Sequence, residues 1–184
     1  MTLIFRHHEA DGIRSEAVFS ECERYRYLLT RRWSREPKAV LLAMNPSTAT
    51  EVQSDATITR FMRRVTAWNM TGWFAPGQRY GAVSIVNVFA WRETDSKQLP
   101  KRIAEGRDIV GWHNDTAITE ACADAGIVIC GWGQPGNLMG RGPAVMQMLR
   151  RQGIRLHALA INADGTPKHP LYIGYSAAPV EIEA

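Results

Sequence analysis

The sequence predicts an α/β protein: a three-layer α/β/α sandwich on a central, mainly parallel four-stranded sheet, with N-terminal strands at its edge. Three observations predict it. Four short apolar runs, within residues 39–44, 82–88, 127–130 and 154–160, each give way to polar or aromatic residues, as buried strands ending at a common rim would. The tracts between them have helical period and are long enough to cross over between parallel strands. The chain has 184 residues, 45% of them hydrophobic, enough for one substantial core and too few for two large ones. Residues 1–175 are therefore read as one domain, and the acidic, proline-containing residues 176–184 as a flexible tail.

Taken in order, Leu3–His7 and Ala17–Phe19 read as short strands around the turn pair Asp11-Gly12. Tyr25–Trp33 alternates aromatic and apolar strand formers with polar residues and is read as an antiparallel or edge strand beside the main sheet. Lys38–Met44 is the first central strand. From Asp55 the period changes, with Ile58, Phe61, Met62, Val65 and Trp68 at helical spacing and Ser54 or Asp55 placed to cap the helix. Asn69–Tyr80 reads as a wide loop carrying Trp73 and Phe74. Ala82–Val88 is the next strand. A helical region begins at Pro100, is interrupted near Gly106 and resumes over Asp108–Ala123, with Asn114-Asp115 in its middle. Ile127–Cys130 is a buried strand that exits into Gly131-Trp132-Gly133-Gln134-Pro135-Gly136. A helix over Arg141–Arg151 and a strand over Ile154–Ala160 follow, and HPLYIGY closes the organised part of the chain.

Composition excludes several classes. No apolar run approaches the roughly 20 residues that span a bilayer, and the first residues, MTLIFRHHEADG, lack the pattern of a secretory signal. A cytoplasmic protein without a membrane partner is expected. Cys22, Cys122 and Cys130 are odd in number and not closely paired, which points to incidental thiols rather than a disulfide scaffold or zinc site. With no His-x-x-His, Cys-x-x-Cys or Glu-rich cluster, neither a metal nor a cofactor is expected. The net charge of +4 leans mildly toward anionic partners. Two arginine-rich segments, Arg24–Lys38 and Arg60–Arg64, are either solvated faces or a phosphate-binding surface.

The candidate site residues cluster at the strand exits. Asn45-Pro46-Ser47 follows the first central strand, Asn87, Phe89 and Arg92 the second, Trp132 the third, and His169 and Tyr172 the fourth. In an open α/β sheet that rim is where ligands bind. An amide or carboxylate oxygen there can orient water, and an imidazole can stabilise charge on a departing group, so Asn45, Asp55 and His169 are the catalytic candidates. Asp55 is equally explained as a helix cap. Pro46, Ser47, Asn87, Phe89, Trp132 and Tyr172 are candidates for substrate binding. Arg92 and Arg141 are candidates for binding phosphate, or for internal ion pairs. The glycine-rich exit around Trp132 matches neither the phosphate-loop nor the dinucleotide pattern, and Ser47 lies in no nucleophile elbow.

The segments Tyr25-Arg26-Tyr27, Asn45-Pro46-Ser47-Thr48-Ala49, Asp55-x-Thr57-Ile58, Asn87-x-Phe89-Ala90-x-Arg92, Gly131-Trp132-Gly133 and Lys168-His169-Pro170-Leu171-Tyr172 together resemble the DUF1643 family of uncharacterised bacterial and phage proteins, over about residues 17–175. More distantly, the order of elements is similar to the uracil-DNA glycosylase superfamily. Asn45-Pro46 resembles the Asn-Pro form of its water-positioning motif, and His169-Pro170 resembles its His-Pro motif. This likeness implies a uracil-DNA glycosylase fold, a water held by Asn45, a leaving base steadied by His169, a base edge read by Asn87, and stacking by Trp73 or Phe89. Leu171-Tyr172 stands where those enzymes carry a Ser and a DNA-inserting segment, and the usual glycine before Asn-Pro is absent. Three functions follow as expectations: hydrolysis of an N-glycosidic bond at a modified base in a nucleic acid or nucleotide; binding of nucleotide or nucleic acid without catalysis; or hydrolysis or transfer on a small phosphorylated metabolite.

Overall fold

The computed structural model describes residues 2–72 and 77–183. The chain opens with β1 (Leu3–Ala10), β2 (Ile13–Ser20), β3 (Arg26–Arg32) and β4 (Lys38–Ala43). It continues through α1 (Ala56–Thr71), β5 (Ala82–Asn87), α2 (Leu99–Ala104), α3 (Asn114–Ala123) and β6 (Ala125–Cys130), and ends with α4 (Arg141–Arg150), β7 (Leu156–Ala158) and β8 (Val180–Glu181). The strands form one sheet in the order β1-β2-β3-β5-β4-β6-β7-β8.

The sheet is mixed. β4 runs parallel to both β5 and β6, and β7 parallel to β6. The pairs β1/β2, β2/β3, β3/β5 and β7/β8 are antiparallel. The expectation of a mainly parallel four-stranded sheet is thus corrected to a single eight-stranded sheet in which antiparallel pairings are the majority. The difference comes from the N-terminal third of the chain. Asp11 and Gly12 both have positive φ, 53° and 74°, the two-residue turn that matches strand twist. It joins two eight-residue strands where only short pieces were expected. β3 is no edge strand, because β2 bonds one side of it and β5 the other.

Each face of the sheet carries its own core. On one, α1 sets Ile58, Phe61, Val65 and Trp68 against Leu41, Ile85 and Ile129. On the other, Ile118 of α3 and Val145 and Leu149 of α4 pack with Val40, Leu42 and Val128. Adjacent β4 residues therefore serve opposite faces, as the two-residue period of a strand requires. Because both faces are covered, β4 reads as an unbroken apolar run.

The helix expected over Asp108–Ala123 begins only at Asn114. Asn114 is fully buried in the first turn, and its amide donates to the carbonyls of Asn87 and Val88 at 3.0 and 3.1 Å. It ties the helix start to the end of β5, so its poor propensity for a helix interior does not arise. Within the segment expected to be a flexible tail, Val180–Glu181 form β8 on β7, and Arg150 donates to the carbonyls of Ile182 and Glu183. Among the described residues, no helix is long and apolar enough to cross a membrane.

Candidate functional site

A cavity of about 510 Å³ opens where β4, β5 and β6 end. Parallel strands deliver their C-terminal ends to one side of a sheet, so loops far apart in sequence meet there. Asn45 and Ser47 enter from the exit of β4, Asn87 from the end of β5, and Trp132 from the exit of β6. His169 and Tyr172 come from the segment after β7, and Asp55 from the start of α1. A second cavity, of about 570 Å³, lies between α4 and residues 164–167 and shares Trp132. Arg150 there donates to chain carbonyls, and none of the other strand-exit candidates reaches it.

The hydrogen bonds around the cavity set the polarity of its side chains. The Asn45 Nδ2 donates to the carbonyls of Pro46 at 3.0 Å and Glu93 at 2.7 Å. Only the NH₂ end of an amide can donate, so Oδ1 is left as an acceptor for a ligand. His169 is poised the other way. Its Nδ1 accepts from the Leu171 N–H at 3.3 Å, which places the proton of the neutral ring on Nε2. Burial lowers the His169 pKa, and the Asp55 charge pulls the other way. Asp55 Oδ1 caps α1 by accepting from the Ile58 N–H at 3.0 Å, while Oδ2 has no partner among the described residues. Capping and a place in the cavity are therefore compatible.

Arg26, read from the sequence only as part of a basic segment and of a family motif, lines this cavity at 2% exposure. It gets there through a β-bulge. Val18 pairs with Leu28 and Phe19 with Arg26, leaving Tyr27 as the extra residue. Simple alternation would put Arg26 on the face of Leu28, toward α3 and α4. The bulge moves it to the face of Leu29 and Ile85, under which the cavity opens. Its guanidinium donates to the Ala49 carbonyl at 3.0 Å and to Asn87 Oδ1 at 3.3 Å. This in turn fixes the Asn87 amide with its Nδ2 free. Burial lowers the Arg26 pKa to about 10, and Asp55 opposes that shift. Lys168 and Glu93 also line the cavity; neither was a site candidate, although Lys168 belongs to the His-Pro family motif.

The glycine-rich exit of β6 proves to be packing chemistry. A Cβ on Gly131 would sit 2.7 Å from Cδ of Pro170, one on Gly136 2.2 Å from Cδ1 of Trp132, and one on Gly142 2.6 Å from its Nε1. Glycines are needed there so that the His-Pro segment and the indole can approach the backbone. Trp132 is 1% exposed and belongs to the core as well as to the cavity wall. Tyr172 is 77% exposed, with its ring centroid 5.9 Å from that of His169.

Other candidates lie elsewhere. Phe89 is fully buried in the core on the α3 side. Pro46 contributes its carbonyl to Asn45 and to the Glu93 N–H, not its ring to the cavity. Arg92 donates to the Glu23 carbonyl and lies over Phe19. Arg141 donates to the Val88 carbonyl and pairs with Asp115. Arg60 and Arg64 of α1 bond the carbonyls of residues 170–177, which holds the segment carrying His169 against the helix. Trp73 and Phe74 lie outside the described residues. Among the described residues, no group of three or more His, Cys, Asp or Glu could hold a metal ion.

No curated protein and no solved structure matches this chain, and the expected likeness to uracil-DNA glycosylases finds no support in these comparisons. The family model for proteins of unknown function designated DUF1643 matches residues 26–171. That span runs from the bulged arginine to the His-Pro segment, and the chain belongs to the DUF1643 family.

Proposed function

We propose that the chain hydrolyses the N-glycosidic bond of a nucleotide-class substrate carrying a modified base. One observation carries this reading: Asn45 is locked with its acceptor free and His169 with its donor free, in one cavity. Glycosidic cleavage asks for that pair. A water donates to Asn45 Oδ1 while its oxygen bonds to the anomeric carbon, and its proton passes to Asp55 Oδ2. The C–N electron pair leaves with the base, whose growing negative charge accepts from Nε2–H of His169. A neutral histidine suits this role, and burial favours that form.

A single nucleotide is the preferred substrate over a polymer. Several arginines that could have formed a phosphate track beside the cavity are spent inside the protein, Arg31 on the Thr50 and Gln53 carbonyls, Arg60 and Arg64 on residues 170–177, and Arg92 and Arg141 as described, which leaves the exposed Arg24, Arg35 and Arg63 of the two basic segments. The test is base release from a panel of nucleosides, nucleoside monophosphates and modified oligonucleotides under single-turnover conditions. Asn45→Ala and His169→Ala should each slow release about 10²–10³-fold, with circular dichroism showing an intact fold. Release that both variants leave untouched refutes the assignment. Binding without release across the panel would turn the reading to a nucleotide-binding protein.

A further inference from the structure

We infer that the floor of this cavity is an oxyanion subsite, in which Arg26 is the counter-ion for a phosphate or carboxylate carried by the substrate. The inference refines the ligand of the same cavity and holds whether or not base release occurs.

The first ground is an incomplete set of partners. A guanidinium has five N–H donors. Arg26 spends one on the Ala49 carbonyl and one on the neutral Asn87 amide, and its buried Nε has no acceptor. Among the described residues it makes no ion pair. A desolvated cation is costly unless it is paired and its donors are satisfied. Other buried arginines differ in the acceptors around their terminal nitrogens: Arg64, fully buried and with its Nε likewise unpartnered, reaches four carbonyl oxygens, and Arg31 reaches three. Arg26, almost as buried, has a single carbonyl and a neutral amide.

The second ground is the company Arg26 keeps. Because Asn87 Oδ1 faces Arg26, Asn87 offers Nδ2 as another donor. Ala56 and Thr57, the first residues of the 16-residue helix α1, also line the cavity. Their N–H groups have no acceptor within the helix, and the Asp55 cap satisfies only that of Ile58. These donors call for a ligand rich in acceptors and negatively charged. Asp55, at the same helix end, is the one carboxylate acting on Arg26, from beyond ion-pair distance. The third ground is that a bulge, a local departure from strand pairing, puts Arg26 here at all.

The test measures the melting temperature in sodium phosphate, sodium acetate and sodium chloride at equal ionic strength, for the parent, Asn87→Asp and Arg26→Gln. Asn87→Asp places a carboxylate against Arg26 and so occupies the subsite from within. For the parent, about 10 mM phosphate or acetate should raise the melting temperature by about 2–4 °C over chloride. The anion that does so identifies the group recognised. Asn87→Asp should melt higher than the parent in chloride and lose the anion response; Arg26→Gln should lose the response too. If Arg26→Gln does not fold, Asn87→Asp decides alone. Comparing a nucleoside monophosphate with its nucleoside, on the parent and Asn87→Asp, extends the test to substrate-like ligands. An anion response that is missing in the parent or persists in Asn87→Asp, or an Asn87→Asp protein that melts lower than the parent, overturns the inference.

Discussion

Asp55 holds two positions at once, and substitution can separate them. Its backbone is extended (φ −93°, ψ 179°) and its Oδ1 accepts the Ile58 N–H at 3.0 Å, so Asp55→Ala removes a helix cap worth about 1 kcal/mol. It also removes a negative charge from a helix N-terminus, worth about 0.5 kcal/mol. Together these lower the melting temperature of a chain of this size by about 3–6 °C. Asp55→Ser keeps a capping oxygen and gives up only the charge, so its loss should be about 1–2 °C. Chemistry divides the variants differently. Neither keeps Oδ2, the proposed acceptor of the water's proton, so on that proposal both should release base about 10²–10⁴-fold more slowly than the parent. The assay pairs thermal unfolding with single-turnover base release. An Asp55→Ser protein that releases base at the parental rate refutes the catalytic role and leaves Asp55 a cap. Equal melting temperatures for Ala and Ser would refute the capping arithmetic.

Three further predictions follow from the same geometry. His169 has its folded-state pKa below the ordinary value near 6.5, so it withdraws no stability above that pH and some as pH falls from there through the folded value; His169→Gln should flatten that part of the stability curve, and a nuclear magnetic resonance titration of His169 at or above 6.5 would contradict it. Gly131→Ala brings a Cβ to 2.7 Å from the Pro170 ring, and should cost about 1–3 kcal/mol by overpacking and slow base release through displacement of His169, measured by denaturant unfolding and single-turnover kinetics. Arg64→Met removes donors from four carbonyls of residues 173–177, and since Ile173 keeps Arg60 and Gly174 keeps the Ala177 N–H, it strands those of Tyr175 and Ala177; it should cost about 2 kcal/mol or more and open that segment to limited proteolysis.

Much of the parallel part of the sheet was legible. The apolar runs at β4, β5 and β6 are buried on both faces, which removes the need for alternation and leaves a signal that is hard to miss. The inward stripe of α1 and its Asp55 cap are local patterns, and both could be read. That Asn45, Asn87, Trp132 and His169 share a cavity follows from strands ending on one side. What stayed hidden depends on pairing across long separations. β3, read as an antiparallel or edge strand, is antiparallel but internal; its alternating polar residues suggested a solvated side, but Arg26 and Arg31 are 2% and 4% exposed and bond inward. The start of α3 at Asn114 is set by carbonyls at the end of β5, which no local window contains.

The arginines show why charge clusters resist reading from sequence. A guanidinium can be satisfied by chain carbonyls or by an anion, and the residue type is the same in both cases. Only the count of acceptors around it tells them apart. Arg64 has four carbonyls and Arg60 two, so the basic stretch of α1 is a clamp on the His-Pro segment rather than a surface for phosphate. Arg92, the strongest phosphate candidate by position, is drawn to Glu23 and Phe19 because the turn after β5 aims it back toward β2. Arg26 has one carbonyl and one neutral amide, and only the one-residue offset between Val18 and Phe19 brings it to the cavity. Inserting one residue between Val18 and Phe19 would give Tyr27 a partner, close that offset and turn Arg26 to the face of Leu28. A chain with that insertion that still folds should therefore lose the anion response while retaining Asn45 and His169 in place.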